Sequence, residues 1–232
     1  MKRRVLLAVL GLALALGFAG LGRWQLGREG EKRALLAAAE AALRAPPVAL
    51  SAASAPGDAP VRAAGTGRFL DTPVLWLDNQ RRGPRVGLKM YCAFAPADGS
   101  PLLLDLGWLP LDGARTLPAE RCPAGEAEVS GLLVPPPAAG LVMGEGLQAQ
   151  PDGSWLALNL DADAVASAWS LPALAPRVLR LDPALPLGHE RDLDLLPNTL
   201  PPEKHRGYAI QWFGLALATL VILIVLNLRR RR

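Results

Sequence analysis

The amino-acid sequence predicts a membrane protein in which two transmembrane helices, N-terminal and C-terminal, flank a mainly antiparallel β domain with one or two short helices. Three observations predict this fold class. An uncharged apolar run lies near each end, short apolar segments between glycines and prolines fill the middle, and cations cluster outside both runs. Hydrophobic residues make up 51% of the chain, slightly more than in a soluble domain, and the terminal runs account for the excess.

The first predicted span covers residues 5–22 and carries no charge. About 18 residues at about 1.5 Å each reach about 27 Å, which is just enough to cross a hydrocarbon core. A cleaved secretory signal peptide is the alternative, because the basic start, the short apolar run and the small residues Gly17 and Ala19 suit cleavage after Ala19. Strong helix formers predict a helical extension over residues 23–45, which the next two prolines end.

The second predicted span covers residues 205–228, and it carries no charge from Tyr208 onward. Tyr208, Trp212 and Phe213 form an aromatic belt at its start, where amphipathic rings favour the membrane interface. Small residues recur at four-residue spacing on both spans and predict that the two helices approach closely. The residues concerned are Gly11, Ala15 and Ala19 on the first span and Gly214 and Ala218 on the second.

Clustered cations explain the formal net charge of +4. The basic start at residues 1–4 and the basic tail at residues 229–232 together hold seven cations, so the rest of the chain is slightly acidic. Cations beside apolar spans mark the cytoplasmic side of a lipid bilayer, so we assign them to membrane topology and expect no nucleic acid as a partner. Both termini are then expected in the cytoplasm and the middle domain in the periplasm.

The middle of the chain predicts a linker followed by one compact β domain. Residues 46–60 are rich in Ala, Pro and Ser and indicate the linker, and the domain is expected over residues 61–204. One short helix is predicted at Ala162–Trp169, because Asp161 can cap its first turn. The short apolar segments favour a small barrel or a sandwich. The predicted strands are Val61–Phe69, Val74–Asp78, Val86–Phe94, Leu102–Trp108, Val129–Val134, Trp155–Leu160 and Val178–Leu181.

The sequence of the domain carries no recognisable catalytic motif, which favours a protein that is not an enzyme. Cys92 and Cys122 form no Cys-x-x-Cys pair and have no neighbouring histidine, so they indicate neither a zinc nor a copper site. They can form one disulfide in an oxidising compartment or remain two unpaired thiols, and the sequence leaves both alternatives open. His189 is expected in a solvated loop between prolines.

His205 lies at the outer edge of the second span, three residues before Tyr208. At about 100° per residue on a helix, Ala209, Trp212 and Ala216 lie within about 40° of its direction. A histidine above small and aromatic residues can ligate a haem iron while the helix face covers the macrocycle. The alternative is an interfacial histidine that hydrogen-bonds lipid head groups.

Motifs at both ends of the chain resemble those of a known family. The segment PPEKHRGYAIQWFGLA from Pro201 to Ala216 resembles the C-terminal signature of the surfeit locus protein 1 family, and GRWQLGR near the start resembles its Gly-x-Trp-Gln motif. A central Gly-Trp-Leu-Pro resembles the family's Gly-Trp-Val-Pro, although Leu106 precedes it where the family often has arginine. Besides His205, Tyr208 and Trp212, the matched residues are Gly22, Trp24, Gln25, Arg28, Gly107, Trp108, Pro110 and Gln211.

This resemblance implies an assembly factor for haem–copper cytochrome c oxidase, with His205 as the ligand of a haem iron and Tyr208 and Trp212 beside the macrocycle. The implied cofactor is haem a, bound transiently. The implied partners are the lipid bilayer, the catalytic subunit of cytochrome c oxidase and the haem a synthesis machinery, and the role is compatible with a homo-oligomer. A haem-free membrane scaffold that holds oxidase subunits together is the alternative. Because no Arg- and Ser-rich segment precedes the first span, we expect a bacterial protein of the inner membrane.

Overall fold

A computed structural model describes residues 2–137, 145–196 and 199–229. Met1 and residues 230–232, which belong to the predicted basic start and tail, lie outside the described residues. The chain divides into two compact units, one formed by Met1–Leu36 with Thr199–Arg232, here called the helix pair, and one formed by Ala37–Asn198, here called the β domain. In chain order the elements are α1 (Lys2–Arg44), a 3-10 helix (Leu50–Ser54), β1 (Val61–Phe69), β2 (Leu75–Arg82), β3 (Arg85–Pro96), β4 (Leu102–Pro110), β5 (Glu126–Val134), β6 (Leu147–Ala149), β7 (Trp155–Ala157), α2 (Ala162–Ala168), β8 (Val178–Leu181) and α3 (Pro202–Arg229).

Two terminal helices, α1 and α3, are apolar and long enough to cross a membrane, as the fold class predicted. The first of them runs without interruption through the predicted span and its extension and ends at Arg44, because Pro46 and Pro47 cannot continue a helix. The second begins at Pro202, where a proline is well tolerated because its missing N–H is not needed in the first turn.

The helix pair is held together along residues that are spaced alternately by three and four positions, here called the seam. This spacing is that of a left-handed coiled coil, which keeps one row of side chains of each helix facing its partner. The buried and half-buried residues that follow it on α1 are Gly11, Ala15, Phe18, Gly22, Gln25 and Glu29. Those on α3 are Pro202, His205, Ala209, Trp212, Ala216, Thr219 and Leu223.

Small residues of α1 bring the two helices close together. A Cβ atom on Gly11 would lie 2.6 Å from the side chain of Leu223, and one on Gly22 would lie 2.9 Å from the ring of Phe213. The prediction that Gly11 lies at a helix contact is therefore confirmed. In a membrane, where lipid is as apolar as leucine, such close van der Waals contact is a main source of helix association.

The predicted contact stripe on the second span is wrong. Gly214 has no atom within 4 Å of where a Cβ would be, and Ala218 is exposed. The small residues that face α1 are instead Ala209 and Ala216, which are 1% and 8% exposed. A strict four-residue spacing drifts around a helix by about 40° per step, whereas alternating steps of three and four stay on one face.

The segment over residues 46–60 is more ordered than the predicted linker. It contains the 3-10 helix, whose Leu50 and Ala53 have no exposed surface, and Val48 forms a bridge with Ala63 of β1. The segment therefore contributes to the core of the β domain. The high content of Ala, Pro and Ser predicted a linker, although the segment contains one leucine, Leu50, that packs in the core.

The β domain is built on an eight-stranded sheet in the order β1-β5-β8-β4-β3-β2-β7-β6. Because β1 also pairs with β3, the strands β1, β5, β8, β4 and β3 close into a ring, so the barrel is the correct one of the two predicted architectures. The sheet is mixed, since the pairs β2–β7 and β4–β8 are parallel and the other pairs between described strands are antiparallel. The two strands of each parallel pair are separated by a long stretch of chain, as parallel pairing requires.

Both faces of the central strands are buried, and in β4 the residues from Leu102 to Trp108 are all buried. Leu102 and Leu104 belong to one apolar cluster, and Leu103 belongs to a second cluster that includes Val165 of α2. The predicted cap of α2 is confirmed, because the Asp161 side chain accepts hydrogen bonds from the backbone N–H groups of Asp163 and Ala164. The prediction missed β6, which has three residues and none of them buried.

Cys92 and Cys122 form a disulfide, with their Cα atoms 5.7 Å apart. Of the two alternatives that the sequence left open, the disulfide is therefore the one found. The bond ties β3 to the connection between β4 and β5, where the chain has no regular structure.

Candidate functional site

One end of the seam is polar and brings the two terminal motifs into direct contact. Gln25 of α1 places its Oε1 atom 2.7 Å from Nδ1 of His205 of α3, although the two residues are 180 positions apart in sequence. His205 is 8% exposed and Gln25 is half-buried. The candidate haem ligand therefore sits inside the helix contact, with one of its two ring nitrogens already engaged.

The neighbouring carboxylate in the seam is neutralised by cations of both helices. Glu29 is 7% exposed. Its Oε1 atom lies 2.8 Å from Arg33 on the same helix and 3.6 Å from Arg206 on α3. A buried carboxylate is tolerated only when it is paired in this way. The pairing engages Glu29 with arginines and leaves the uncharged amide of Gln25 as the partner of His205.

The aromatic residues of the terminal motifs divide between the seam and the surface. Trp212 is half-buried and stacks on Phe18 with ring centroids 5.7 Å apart. Trp24 and Tyr208 are 57% and 41% exposed. The helix face expected to cover a macrocycle packs into the seam instead, because Ala209 and Ala216 are buried there.

The remaining residues of the terminal motifs lie at the helix contact or on the exposed surface of the helix pair. Gly22 allows the close approach to Phe213 described above. Arg28 forms an ion pair with Glu31 one turn further along the exposed surface of α1. Gln211 is exposed on α3. Among the motif residues of the helix pair, the contact between Gln25 and His205 is the one that orients a group capable of binding a metal.

The central motif has an architectural role in the β domain. Gly107 has a φ angle of +111°, and a Cβ atom there would lie 2.8 Å from the carbonyl oxygen of His189. The indole N–H of Trp108 donates to the carbonyl oxygen of Gln80 at 2.9 Å, and its backbone N–H donates to that of Glu190 at 2.9 Å. The first bond ties β4 to β2, and the second ties β4 to the chain after β8. Pro110 ends β4 and is exposed.

A cluster of buried charges lies behind the central motif. Asp105, with 4% of its side chain exposed, lies 2.6 Å from Nζ of Lys89 and 3.6 Å from Nε of Arg180. Its other oxygen accepts the N–H of Gly107 at 3.1 Å. A shallow cavity beside it is lined by residues of both charges, among them Arg82 and Glu190.

Tyr91 is fully buried on the neighbouring strand β3. Burial, followed by the negative charge of Asp105, raises the pKa of the Tyr91 hydroxyl well above its ordinary value of 10.0. Tyr91 therefore stays protonated wherever the domain is folded at neutral pH. Leu106, which stands where the family often has arginine, is fully buried in the apolar core.

The comparison with protein-family models decides the family. The model of the SURF1 family, whose full name is surfeit locus protein 1, matches residues 12–217 and so covers nearly the whole chain. The chain belongs to the SURF1 family. This family is known for the assembly of cytochrome oxidase and is a family of assembly factors, not of enzymes. A search of curated proteins finds no match.

The residues of the helix pair fit the iron of a haem in their donor chemistry. An imidazole whose Nδ1 is bound by an amide carbonyl has Nε2 available as a metal donor, which is the usual arrangement of a ligating histidine. A macrocycle would have to lie on exposed surface, since Ala209 and Ala216 are buried in the seam. Trp24 and Tyr208, from the same two motifs, offer exposed rings.

Sequence reasoning identified His205 but missed its partner. The sequence marks Gln25 as a motif residue and Glu29 as a charge that follows the first span, and it does not indicate that either residue lies in the contact with α3. In the structure, the buried residues from Gly11 to Glu29 and from Pro202 to Leu223 follow heptad spacing. The sequence alone does not mark this face, because several of these residues are polar or are glycines and so form no apolar pattern.

Proposed function

We propose that this SURF1-family protein assists the assembly of haem–copper cytochrome c oxidase by presenting or stabilising haem a for insertion into the catalytic subunit. The observation that carries the proposal is the burial of His205 in the helix contact with Nδ1 bound to Gln25. When bound, haem a supplies a redox-active iron. The chain would supply the imidazole of His205 as the ligand of the iron, and Gln25 would hold the orientation of that ring, while Arg33 and Arg206 neutralise the neighbouring Glu29.

The proposal places both termini in the cytoplasm and the β domain in the bacterial periplasm, with the first span retained. The cation clusters at residues 1–4 and 229–232 support this orientation. The disulfide between Cys92 and Cys122 also supports it, because disulfides persist in the periplasm and are rare in the cytoplasm. Alkaline phosphatase fused after Gly125 is expected to be active, and a fusion after Arg232 inactive. Mature protein that begins at Gly20 would contradict retention of the span.

A haem-free scaffold for oxidase subunits is the second candidate, and one observation favours it. The face of α3 that was expected to cover the macrocycle is buried in the seam at Ala209 and Ala216. A scaffold needs only a stable helix pair and a folded β domain, and it gives His205 a structural role as a hydrogen-bonding residue of the seam.

The two candidates are distinguished by purifying the protein from cells that make haem a and recording its visible spectrum. Under the haem proposal, the parent protein carries haem a and His205→Ala loses it, while the variant still inserts into the membrane. His189→Ala is the matched control, because His189 is the other histidine of the chain and lies in a loop of the β domain. Equal haem a content in His205→Ala and the parent would refute the ligand assignment. A parent that is empty in cells rich in haem a would favour the scaffold.

A further inference from the structure

We propose that Gln25 is a positioning residue that holds the neutral imidazole of His205 in the tautomer with hydrogen on Nδ1, so that Nε2 is the nitrogen presented to a metal. This inference rests on the proposed function for its haem ligand. The inference adds Gln25, on the other helix, as the residue that decides which ring nitrogen of His205 can bind a metal.

The argument starts from the hydrogen-bonding capacity of the two groups. A neutral imidazole has one N–H donor and one acceptor nitrogen, and an amide oxygen can only accept. With Oε1 of Gln25 2.7 Å from Nδ1 of His205, the hydrogen of the ring lies on Nδ1. The lone pair is then on Nε2. A hydrogen bond donated by one ring nitrogen therefore determines that the other nitrogen binds the metal.

The seam fixes the amide of Gln25 at this place. Gln25 lies three residues after Gly22, whose lack of a side chain allows the close approach to Phe213, and four residues before Glu29. Glu29 is paired with Arg33 and Arg206. A carboxylate at position 25 would also accept from Nδ1, whereas an apolar side chain would leave that nitrogen without its partner.

The opposite arrangement gives a distinct and measurable result. If the amide of Gln25 is turned so that its NH₂ group faces the ring, it donates to Nδ1, and the hydrogen of the imidazole lies on Nε2. Nε2 would then be unable to bind a metal without losing its proton. The two tautomers are distinguished by ¹⁵N NMR, because a ring nitrogen with hydrogen and one without it have well-separated shifts.

The experiment uses the full chain in lipid bilayers without haem, with ¹⁵N-labelled histidine and the substitution His189→Gln, so that His205 is the only histidine. At about pH 8, histidine side chains are ordinarily neutral. The parent is expected to show hydrogen on Nδ1. Gln25→Leu is expected to give a mixture of tautomers, and Gln25→Glu to restore the Nδ1–H form. Gln211→Leu is the matched control, since Gln211 is an exposed glutamine of the same helix pair, and it should leave the tautomer unchanged.

Haem a binding supplies the second readout. Gln25→Leu is expected to bind haem a about 10- to 100-fold more weakly than the parent, as loss of a group that orients a metal ligand usually does, with Gln25→Glu close to the parent. Hydrogen on Nε2 in the parent, or an unchanged tautomer and unchanged haem affinity in Gln25→Leu, would overturn the proposal. A parent that never retains haem a would overturn the proposed function, whereas the tautomer measurement still supports or refutes the role of Gln25.

Discussion

The motifs that resemble those of the SURF1 family have different roles in the helix pair and in the β domain. In the helix pair, residues from the two ends of the sequence meet, and their contact orients His205 through Gln25. In the β domain, Trp108 donates to the backbone carbonyl oxygen of Gln80, and Gly107 lets the backbone of His189 approach closely. A motif residue can therefore orient a possible metal ligand or stabilise the fold, and only its contacts in the structure distinguish these two roles.

The two regions also handle buried charge differently. In the β domain, Asp105 lies between Lys89 and Arg180, and all three side chains are at most 12% exposed. In the helix pair, Glu29 is buried but both of its arginines are more than half exposed. Removing one charge should therefore be far more damaging in the β domain.

The largest expected effect is that of Asp105→Asn. This change leaves Lys89 buried without its counter-charge and leaves Arg180 paired with Asp192, 3.4 Å away, and the loss of a buried partner costs about 3 to 5 kcal/mol of folding free energy. Chemical denaturation of the full chain in detergent, followed by tryptophan fluorescence, measures it. Glu40→Gln is the control, because the exposed Glu40–Arg44 pair should contribute less than about 1 kcal/mol. Both residues belong to the β domain, so equal losses in the two variants would show that burial of the pair does not decide the cost.

Reduction of the Cys92–Cys122 bond is expected to destabilise the β domain by about 3 to 4 kcal/mol, because it frees a closed loop whose ends are 30 residues apart. The helix pair contains no cysteine. Thermal unfolding with and without a reducing agent measures the effect. Loss of haem a upon reduction, with the helix pair intact, would show that the two regions are not independent.

A bulky residue at Gly22 should weaken the helix pair. Gly22→Leu places a side chain where a Cβ atom alone would meet the ring of Phe213 at 2.9 Å, and such overpacking costs about 1 to 3 kcal/mol. Gly20→Leu is the matched control, since nothing lies within 4 Å of a Cβ at Gly20. Helix association is measured by titration with a denaturing detergent. No difference between the two variants would argue against the seam.

The smallest expected effect is a pH dependence of the β domain. The pKa of Tyr91 is raised in the fold, so its contribution to stability is complete below the unfolded value of about 10 and is lost as pH rises above it. The loss therefore grows as the pH rises from about 10 to about 11. Tyr91→Phe should show a correspondingly smaller fall between pH 9 and pH 11. Tyr208→Phe is the matched control, because Tyr208 lies in the helix pair and should leave the pH dependence of the β domain unchanged.

Much of the fold was predictable because composition and turn residues mark it strongly. The bounds of β1 and β8, the cap at Asp161 and the end of α1 before two prolines follow from local chemistry. The two parallel strand pairs were not predictable, since strand sequences specify burial and not the direction of a partner. The burial of Leu50 was also not predictable from the sequence, because one leucine among small residues gives no periodic pattern.

Of the candidate site, the sequence predicted His205 but not its contact with Gln25. The motif resemblance identified His205, and helix geometry related it to Ala209 and Ala216, but that geometry does not tell which face meets the other helix. The structure places this face in the seam. The contact with Gln25 depends on the register of two helices far apart in sequence, which no local pattern contains.

The central claim is that the helix pair, and not the β domain, holds the chemistry of this protein. The most direct test is the ratio of haem a to polypeptide in His205→Ala and in Trp108→Phe, each purified as a folded membrane protein from cells that make haem a. Trp108→Phe removes the hydrogen bond to Gln80 without touching the helix pair. The account predicts that His205→Ala is empty and that Trp108→Phe keeps the parent's ratio. Haem a retained by His205→Ala and lost by a folded Trp108→Phe would contradict it.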